Sequence, residues 1–339
     1  MHLRLGRIRP HHRRFIEYSG AMNSDGVDDD LPFGLVVNPF SALGRGKRAA
    51  VRTARALAAR GVRVVPISGR DAAHCREQLR AATGTGLRGL VLVGGDGILG
   101  LVLQVPEARR LPLGIVPAGS GNDFARQFEL PHDPVAAVAR ILAAESAPRA
   151  VDLGVVHLPD PERPGQKREH WFAGGLSVGF DAAVNRRANA IRLPLGPVRY
   201  HLALIVEVLA IAPRAFSVRW SRSADADQDP AGRRAFTGLL ATVMNIRAIG
   251  GGIPLTPQAE PDDGALDLLM VDACSTVRLL SVLGVLARGR HARLPEVRME
   301  RAERVGIEAG SEIAYADGEP VGVGPFEVSV APGALRLLA

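Results

Sequence analysis

The chain has 339 residues, enough for about two domains at roughly 100–200 residues each. With 47% hydrophobic and 23% charged residues it has the composition of an ordinary globular protein, and its net charge of +7 favours anionic partners such as nucleotides, phospholipid surfaces or nucleic acid without choosing among them. Cys75 and Cys274 stand far apart with no CxxC spacing, which excludes a disulfide framework and a cysteine zinc site and fits a reducing cytosol. No run of about 18 uncharged apolar residues occurs, so no spanning helix is expected. The nearest, HLALIVEVLAIA (201–212), is short and carries Glu207.

In chain order, residues 1–32 read as a disordered extension, basic in MHLRLGRIRPHHRR and acidic in SDGVDDD, with no apolar secretory core. Met22 is an alternative start. FGLVVNP (33–39) predicts a strand running into a loop, and GKRAAVRTARALAARG (46–61) a helix closed by Gly61. VRVVPIS is the next strand. Asp71 is placed to cap the helix AAHCREQLRAA, LRGLVLV is a buried strand and LPLGIVP (111–117) another. DPVAAVARILAAE (133–145) predicts a helix with Asp133 as cap and Pro134 in its first turn. Such alternation predicts a mostly parallel sheet covered by helices.

After about residue 148 short apolar runs take over: AVDLGVVHL, HWFAGGLSVGF, AFSVRW, FTGLLATVMNI and ALDLLMV, separated by polar loops. They predict a strand-rich second domain, interrupted by a helix over 275–289 with Ser275 as cap and closed by FEVSVAPGALRLLA. No internal repeat is visible.

Three glycine-bearing loops fall at the carboxyl ends of predicted strands, where open α/β sheets bind ligands: NPFSALGRG (38–46), GGDG (94–97) and PAGSGNDFAR (117–126). Bare N–H groups before a helix bind phosphate oxygens. Asp96 and Asp123 tolerate a neighbouring phosphate if a divalent cation separates the charges. The competing explanation is that these glycines only make tight strand-to-helix turns. GTGLRG (84–89) matches a dinucleotide fingerprint literally but precedes a strand, and GRGK (44–47) lacks the first glycine and the hydroxyl of a P-loop, so both are set aside. In the second half, Asp262-Asp263-Gly264 and Asp317-Gly318-Glu319 are acidic turns, either hairpin connections or sites presenting carboxylates.

GGDG, PAGSGNDFAR, DDGALD and DGEP, in this order, resemble the bacterial diacylglycerol kinase and lipid kinase family, whose relatives include sphingosine kinases and, more distantly, NAD kinases. VVNPFSALGRG, FAGGLSVGFDAAV and IGGGIPLTPQA are also similar to family segments, so the resemblance covers about residues 33–339. It implies an α/β fold: an NAD-kinase-like α/β domain over 33–148 plus about 325–339, and a β-sandwich-like lipid-substrate domain over 149–324, with the last strand returning to the first domain. It implies ATP phosphates on Asn38, Pro39, Phe40, Ser41 and Ala42, on Gly94, Gly95, Asp96, Gly97, Ile98, Leu99, Gly100 and Leu101, and near Gly119, Ser120, Gly121 and Asn122. Asp96 and Asp123 would sit by the catalytic Mg²⁺, and Glu319 would be the general base. A structural Mg²⁺ would be held by the Asp263 side chain with the carbonyls of Glu260 and Ala265.

The implied activity is phosphoryl transfer from ATP to a lipid hydroxyl, most simply diacylglycerol to phosphatidic acid, by a cytoplasmic protein peripheral at the inner membrane surface. Positive charge and the apolar segments 195–212 and 277–286 would address an anionic membrane, unless both segments are core. A homodimer is left open. Similar kinases read Gly-Gly-Asp-Gly-Thr followed by Leu-Asn-Glu, whereas this chain has Ile98, Leu99, Gly100 and Leu101, and Pro66 stands near a usual Thr. The alternatives are therefore an NAD-kinase-type enzyme with a soluble substrate and a catalytically impaired nucleotide- or lipid-binding protein. Nucleic acid is not expected, because no helix carries a basic face interleaved with aromatics.

Overall fold

The computed structural model describes residues 31–37, 45–160, 162–190, 206, 212–223, 232–286 and 288–339. The first half contains β1 (Phe33–Val37), α1 (Arg45–Ala58), β2 (Val64–Ile67), α2 (Ala72–Thr83), β3 (Gly89–Gly94), α3 (Asp96–Leu103), α4 (Pro106–Arg109), β4 (Leu113–Pro117), α5 (Asp123–Gln127) and α6 (Pro134–Ala143). Its strands pair in parallel in the order β2-β1-β3-β4. Every residue of β3 and β4 is buried, as expected for parallel strands covered on both faces. The pleat divides β3 between two cores. Leu90 and Leu92 pack with α2 and α3, and Val91 and Val93 pack with α1 and α6. The predicted caps are present: Asp71 accepts from the His74 N–H at 2.8 Å, and Asp133 accepts from Val135 and Ala136 at 3.0 and 3.1 Å.

The second half contains β5 (Arg149–Pro159), β6 (Lys167–Phe172), β7 (Gly175–Gly179), α7 (Phe180–Ala190), β8 (Arg214–Ser221), β9 (Gly232–Met244), β10 (Leu266–Asp272), α8 (Thr276–Leu286), β11 (Val297–Ala302), β12 (Arg304–Glu308), β13 (Ile313–Ala316), β14 (Glu319–Val323) and β15 (Phe326–Leu337). Pairing here is antiparallel, around a core that includes Phe172, Leu176, Val218, Val243, Leu268, Ile307 and Phe326. Ser275 caps α8 through Arg278 N–H at 3.2 Å.

The last strand joins the halves. β15 runs antiparallel to β5 along most of its length, pairs with β12 on its other side, and reaches β4 in parallel at Leu337 opposite Leu113. Its register shifts between Ala331 and Leu335. In that kink, Gly333 (φ +59°) donates to the buried Asp152 carboxylate at 2.7 Å. The other Asp152 oxygen accepts from Gly264 at 2.7 Å, so one carboxylate ties the last strand to the acidic turn of the second half.

Two features of this half are not marked by the apolar runs. HWFAGGLSVGF is not one strand: β6 stops at Phe172 and β7 starts at Gly175. Strands β11 to β13 are too short or too charged to show as apolar runs: β11 is VRMERA, β12 is RVGIE with charge at both ends, and β13 is the four-residue IAYA. Residues 38–42 and nearly all of 195–212 lie outside the described residues, as does the extension through residue 30.

Candidate active site

The ends of β3 and β4 carry the two described glycine loops, and these loops meet each other. A Cβ on Gly119 would lie 2.5 Å from the Gly95 Cα, and one on Gly95 would lie 2.9 Å from the Gly119 Cα. Both contacts are with backbone, so neither position accepts a side chain without parting the loops. Gly94 serves a third purpose: its absent Cβ makes room for the Ile98 side chain, which folds back into the core and is only 3% exposed. Gly97 differs from all of these, because a Cβ there meets nothing in the protein.

Asn122 adopts the left-handed conformation (φ +55°), which Asn tolerates better than most residues. Its amide accepts from Gly119 N–H at 2.9 Å and donates to the Gly119 carbonyl at 3.1 Å, closing the second loop. Asp96 reaches across from the first loop and accepts from the N–H groups of Asp123 and Phe124, both at 3.1 Å. The start of α5 is thus capped from another strand end. The N–H groups of Asp96, Gly97, Ser120 and Gly121 have no acceptor among the described residues. They remain as main-chain donors on the ligand side of the sheet, those of Asp96 and Gly97 in the first turn of α3.

A Cβ on Gly121 would lie 3.2 Å from an Asp96 oxygen and 3.5 Å from an Asp123 oxygen, so both carboxylates face the same bare spot. Asp123 also accepts from the Arg126 guanidinium at 2.6 Å and from Gly251 N–H at 2.8 Å. Gly251 belongs to the Gly250–Gly252 turn of the second half, where φ is +68°, +90° and +103°. Burial pushes the Asp123 carboxyl up to about 6, with the negative charge of Asp96 adding to the rise. Among the described residues no three His, Cys, Asp or Glu side chains converge to hold one ion. Two carboxylates with further oxygens taken from phosphates is nevertheless the ligand set Mg²⁺ accepts, so these residues fit that ion.

Glu319 opens β14, opposite Ala316 in the β13–β14 hairpin. The turn residues Asp317 and Gly318 have φ of +48° and +85°, the signs required by a two-residue hairpin connection. Asp317 is more than a turn former. Its carboxylate accepts from the N–H groups of Ala173, Gly174 and Gly175 at 2.8, 2.8 and 3.1 Å. Burial pushes its carboxyl up to about 6, with Asp96 contributing by repulsion. A Cβ on Gly100 would lie 3.9 Å from the Asp317 Cβ, so this turn packs over α3. The turn that leads into Glu319 therefore packs against the helix that begins at Asp96.

The residues expected at a second Mg²⁺ form another cluster. Asp263 accepts from Ala265 N–H at 3.1 Å and is ion-paired with Arg301, while Asp262 pairs with Arg149 at 2.6 Å. Burial, with Asp263 and Glu260 nearby, pushes the Asp267 carboxyl up to about 6. Each acid of the turn thus already has a guanidinium partner, Arg301 for Asp263 and Arg149 for Asp262, so a cation at Asp263 would have to displace Arg301. Sequence reasoning missed Asp152, and it also missed Gln104, whose amide accepts from Trp171 N–H at 3.1 Å and donates to the Trp171 and Gly100 carbonyls at 2.8 and 2.9 Å. Apart from Gly100, the partners of these two side chains are 67 or more residues away, and no local spacing marks them.

A parallel α/β half with main-chain donors and paired acids is thus packed against an antiparallel half that carries further acidic turns. Residues 32–156 match the diacylglycerol kinase catalytic domain, and residues 174–339 match the YegS C-terminal NAD kinase beta sandwich-like domain. A diacylglycerol kinase of Mycobacterium tuberculosis (strain ATCC 25618 / H37Rv) is 35% identical over 89% of this chain and 93% of its own length. A protein named "Probable lipid kinase YegS-like" from Chromohalobacter salexigens is 31% identical over 77% and 78% of the two chains. The chain belongs to the diacylglycerol kinase family of lipid kinases. A crystal structure described as a diacylglycerol kinase from Bacillus anthracis str. Sterne shares the fold, with a TM-score of 0.61 at 15% identity over 91% of this chain and 96% of that one.

Proposed function

We propose that this protein transfers the γ-phosphoryl group of ATP to a lipid hydroxyl, with diacylglycerol as acceptor and phosphatidic acid as product. The observation that carries this reading is the packing of the Asp317-Gly318 turn, and with it Glu319, over the helix whose first turn offers free N–H groups. The donors of Asp96, Gly97, Ser120 and Gly121 would orient the phosphates, with Asn38–Ala42, outside the described residues, as further phosphate contacts. Ile98 and Leu99 have buried side chains, so this stretch would act through its backbone. Asp96 and Asp123 would hold Mg²⁺, which when bound screens phosphate oxygens as charge moves through the transition state. Glu319, whose exposed carboxylate has no partner among the described residues, would take the proton of the attacking alcohol. General-base help of this kind is worth about 10²–10⁴-fold in rate.

The division of labour follows: residues 33–148 with about 325–339 bind the nucleotide, and 149–324 present the lipid. At the Asp263 turn, a structural Mg²⁺ with the carbonyls of Glu260 and Ala265 would exchange for the Arg301 ion pair. No helix among the described residues is long and apolar enough to cross a membrane. The lipid would be met at the surface by a cytoplasmic, peripheral protein. A second reading, a nucleotide- or lipid-binding protein with impaired transfer, is favoured by Ile98, which fills core at the position where the family resemblance leads one to expect a Thr. Incubation with γ-labelled ATP, Mg²⁺ and either diacylglycerol vesicles or NAD separates the readings. Labelled phosphatidic acid supports the proposal, label on NAD overturns the lipid acceptor, and ATP binding without transfer supports the second reading.

A further inference from the structure

Between Phe172 and Gly175 the chain breaks what would otherwise be one long strand; Asn245 donates to the carbonyls of Ala173 and Gly174 at 3.0 and 2.9 Å, and two further contacts hold the break. On one side the Asp317 carboxylate takes three consecutive N–H groups, those of Ala173, Gly174 and Gly175. The backbone answers in the other direction, with Asp317 N–H donating to the Gly175 carbonyl at 3.1 Å. A Cβ on Gly174 would lie 2.7 Å from an Asp317 oxygen, so the glycine is needed for the carboxylate to seat. On the other side the Gln104 amide pairs with both the N–H and the carbonyl of Trp171, as a neighbouring strand would. Gln104 ends α3, the helix that begins at Asp96. Arg109, one turn of chain further on, stacks its guanidinium 3.5 Å from the Trp171 ring centre.

These contacts make a continuous frame from the phosphate side of α3, through Gln104 and residues 171–175, to Asp317 and so to Glu319 two residues later. We infer that Asp317 is a positioning residue, which fixes the reach of Glu319 toward the cradle by anchoring its turn on residues 173–175, with Gln104 holding the far end of the same segment. This rests on Glu319 being the base. A carboxylate is suited to the task because both oxygens accept and neither donates. An Asn keeps the left-handed turn but sets an NH₂ group against at least one of the three donors. A displacement of about 1 Å at a reacting group costs about 10²-fold in rate.

The test is a double-mutant cycle in the full-length protein with ATP, Mg²⁺ and diacylglycerol vesicles, with thermal melting to check folding. Asp317→Asn is expected to lower kcat about 10²-fold with KM for ATP unchanged within twofold, yet to cost less than about threefold more in a Glu319→Gln background, since the group it positions is already gone. Equal losses in both backgrounds, or a rise in KM with kcat unchanged, overturns the positioning role. Should Asp317→Asn fail to fold, Gln104→Met acts on the same segment from α3 and is read by the same cycle, with the same two outcomes. Wild-type turnover by Glu319→Gln alone would instead overturn the reading of the base, and the inference with it.

Discussion

Gly119 and Gly97 look alike in the sequence but do different jobs in the structure, and replacing each by alanine separates the two. At Gly119 the new methyl carbon would lie 2.5 Å from the Gly95 Cα, 3.0 Å from the Gly95 nitrogen and 2.8 Å from the Asn122 Oδ1. Ordinary contact begins near 3.4 Å, so the two loops must separate by about 1 Å or the strands beneath them must shift. Overpacking of this kind costs about 1–3 kcal/mol, and opening the cradle by that distance costs about 10²-fold in turnover. At Gly97 the methyl group meets no protein atom and sits in the first turn of α3. There alanine should leave folding unharmed or improve it by up to about 1 kcal/mol, because glycine is a poor helix residue. The same methyl group would stand between the backbone donors and a phosphate, so ATP affinity should fall while the melting temperature holds or rises. Melting curves paired with calorimetric ATP titration check both variants. Gly119→Ala with wild-type stability and turnover, or Gly97→Ala with wild-type ATP affinity, would refute the assignment of the first glycine to loop packing or of the second to the ligand.

Buried acids set a pH dependence. Asp267 titrates near 6 when folded against an ordinary 3.8. Its ionised form therefore costs stability on the order of 3 kcal/mol at neutral pH, a cost relieved as pH falls through 6 and gone below about 4. In EDTA the wild type should thus melt higher at pH 5 than at pH 7.5, and Asp267→Asn should flatten that part of the difference; an unchanged slope would contradict the assignment. At the neighbouring turn, Arg301→Ala removes the cation paired with Asp263. Melting of that variant should become more responsive to Mg²⁺ than wild type, and an equal response would speak against exchange of ion for guanidinium. Asp152→Ala removes a buried carboxylate that takes the N–H groups of Gly264 and Gly333, which should cost about 1–3 kcal/mol in chemical denaturation, more than loss of an exposed acid such as Glu77.

Local signals carried much of the first half. Apolar runs with punctuation marked β1, β3 and β4, and Asp71, Asp133 and Ser275 cap helices as their side-chain chemistry dictates. The purpose of the glycines was only half legible, since nothing in GGDG says that its second glycine faces the backbone of a loop 24 residues later. The break between β6 and β7 is made by Asp317, more than 140 residues downstream, and HWFAGGLSVGF reads as continuous because its apolar content is. Strand β11 intersperses arginine and glutamate with its apolar residues, and β12 has only three residues between a terminal Arg and Glu, so neither shows in a search for apolar runs. The acids of DDG and DGE were visible as turns. Their partners, Arg301 and residues 173–175, depend on how distant strands come together.

The central claim is that a phosphoryl group held on the α3 side is passed to a lipid alcohol deprotonated by Glu319. Single-turnover transfer from γ-labelled ATP to diacylglycerol, comparing wild type with Glu319→Gln at matched ATP occupancy, tests it most directly. The account predicts labelled phosphatidic acid from the wild type and a rate at least about 10²-fold lower from the variant, with ATP binding and melting temperature unchanged. Equal rates from the two proteins would contradict it.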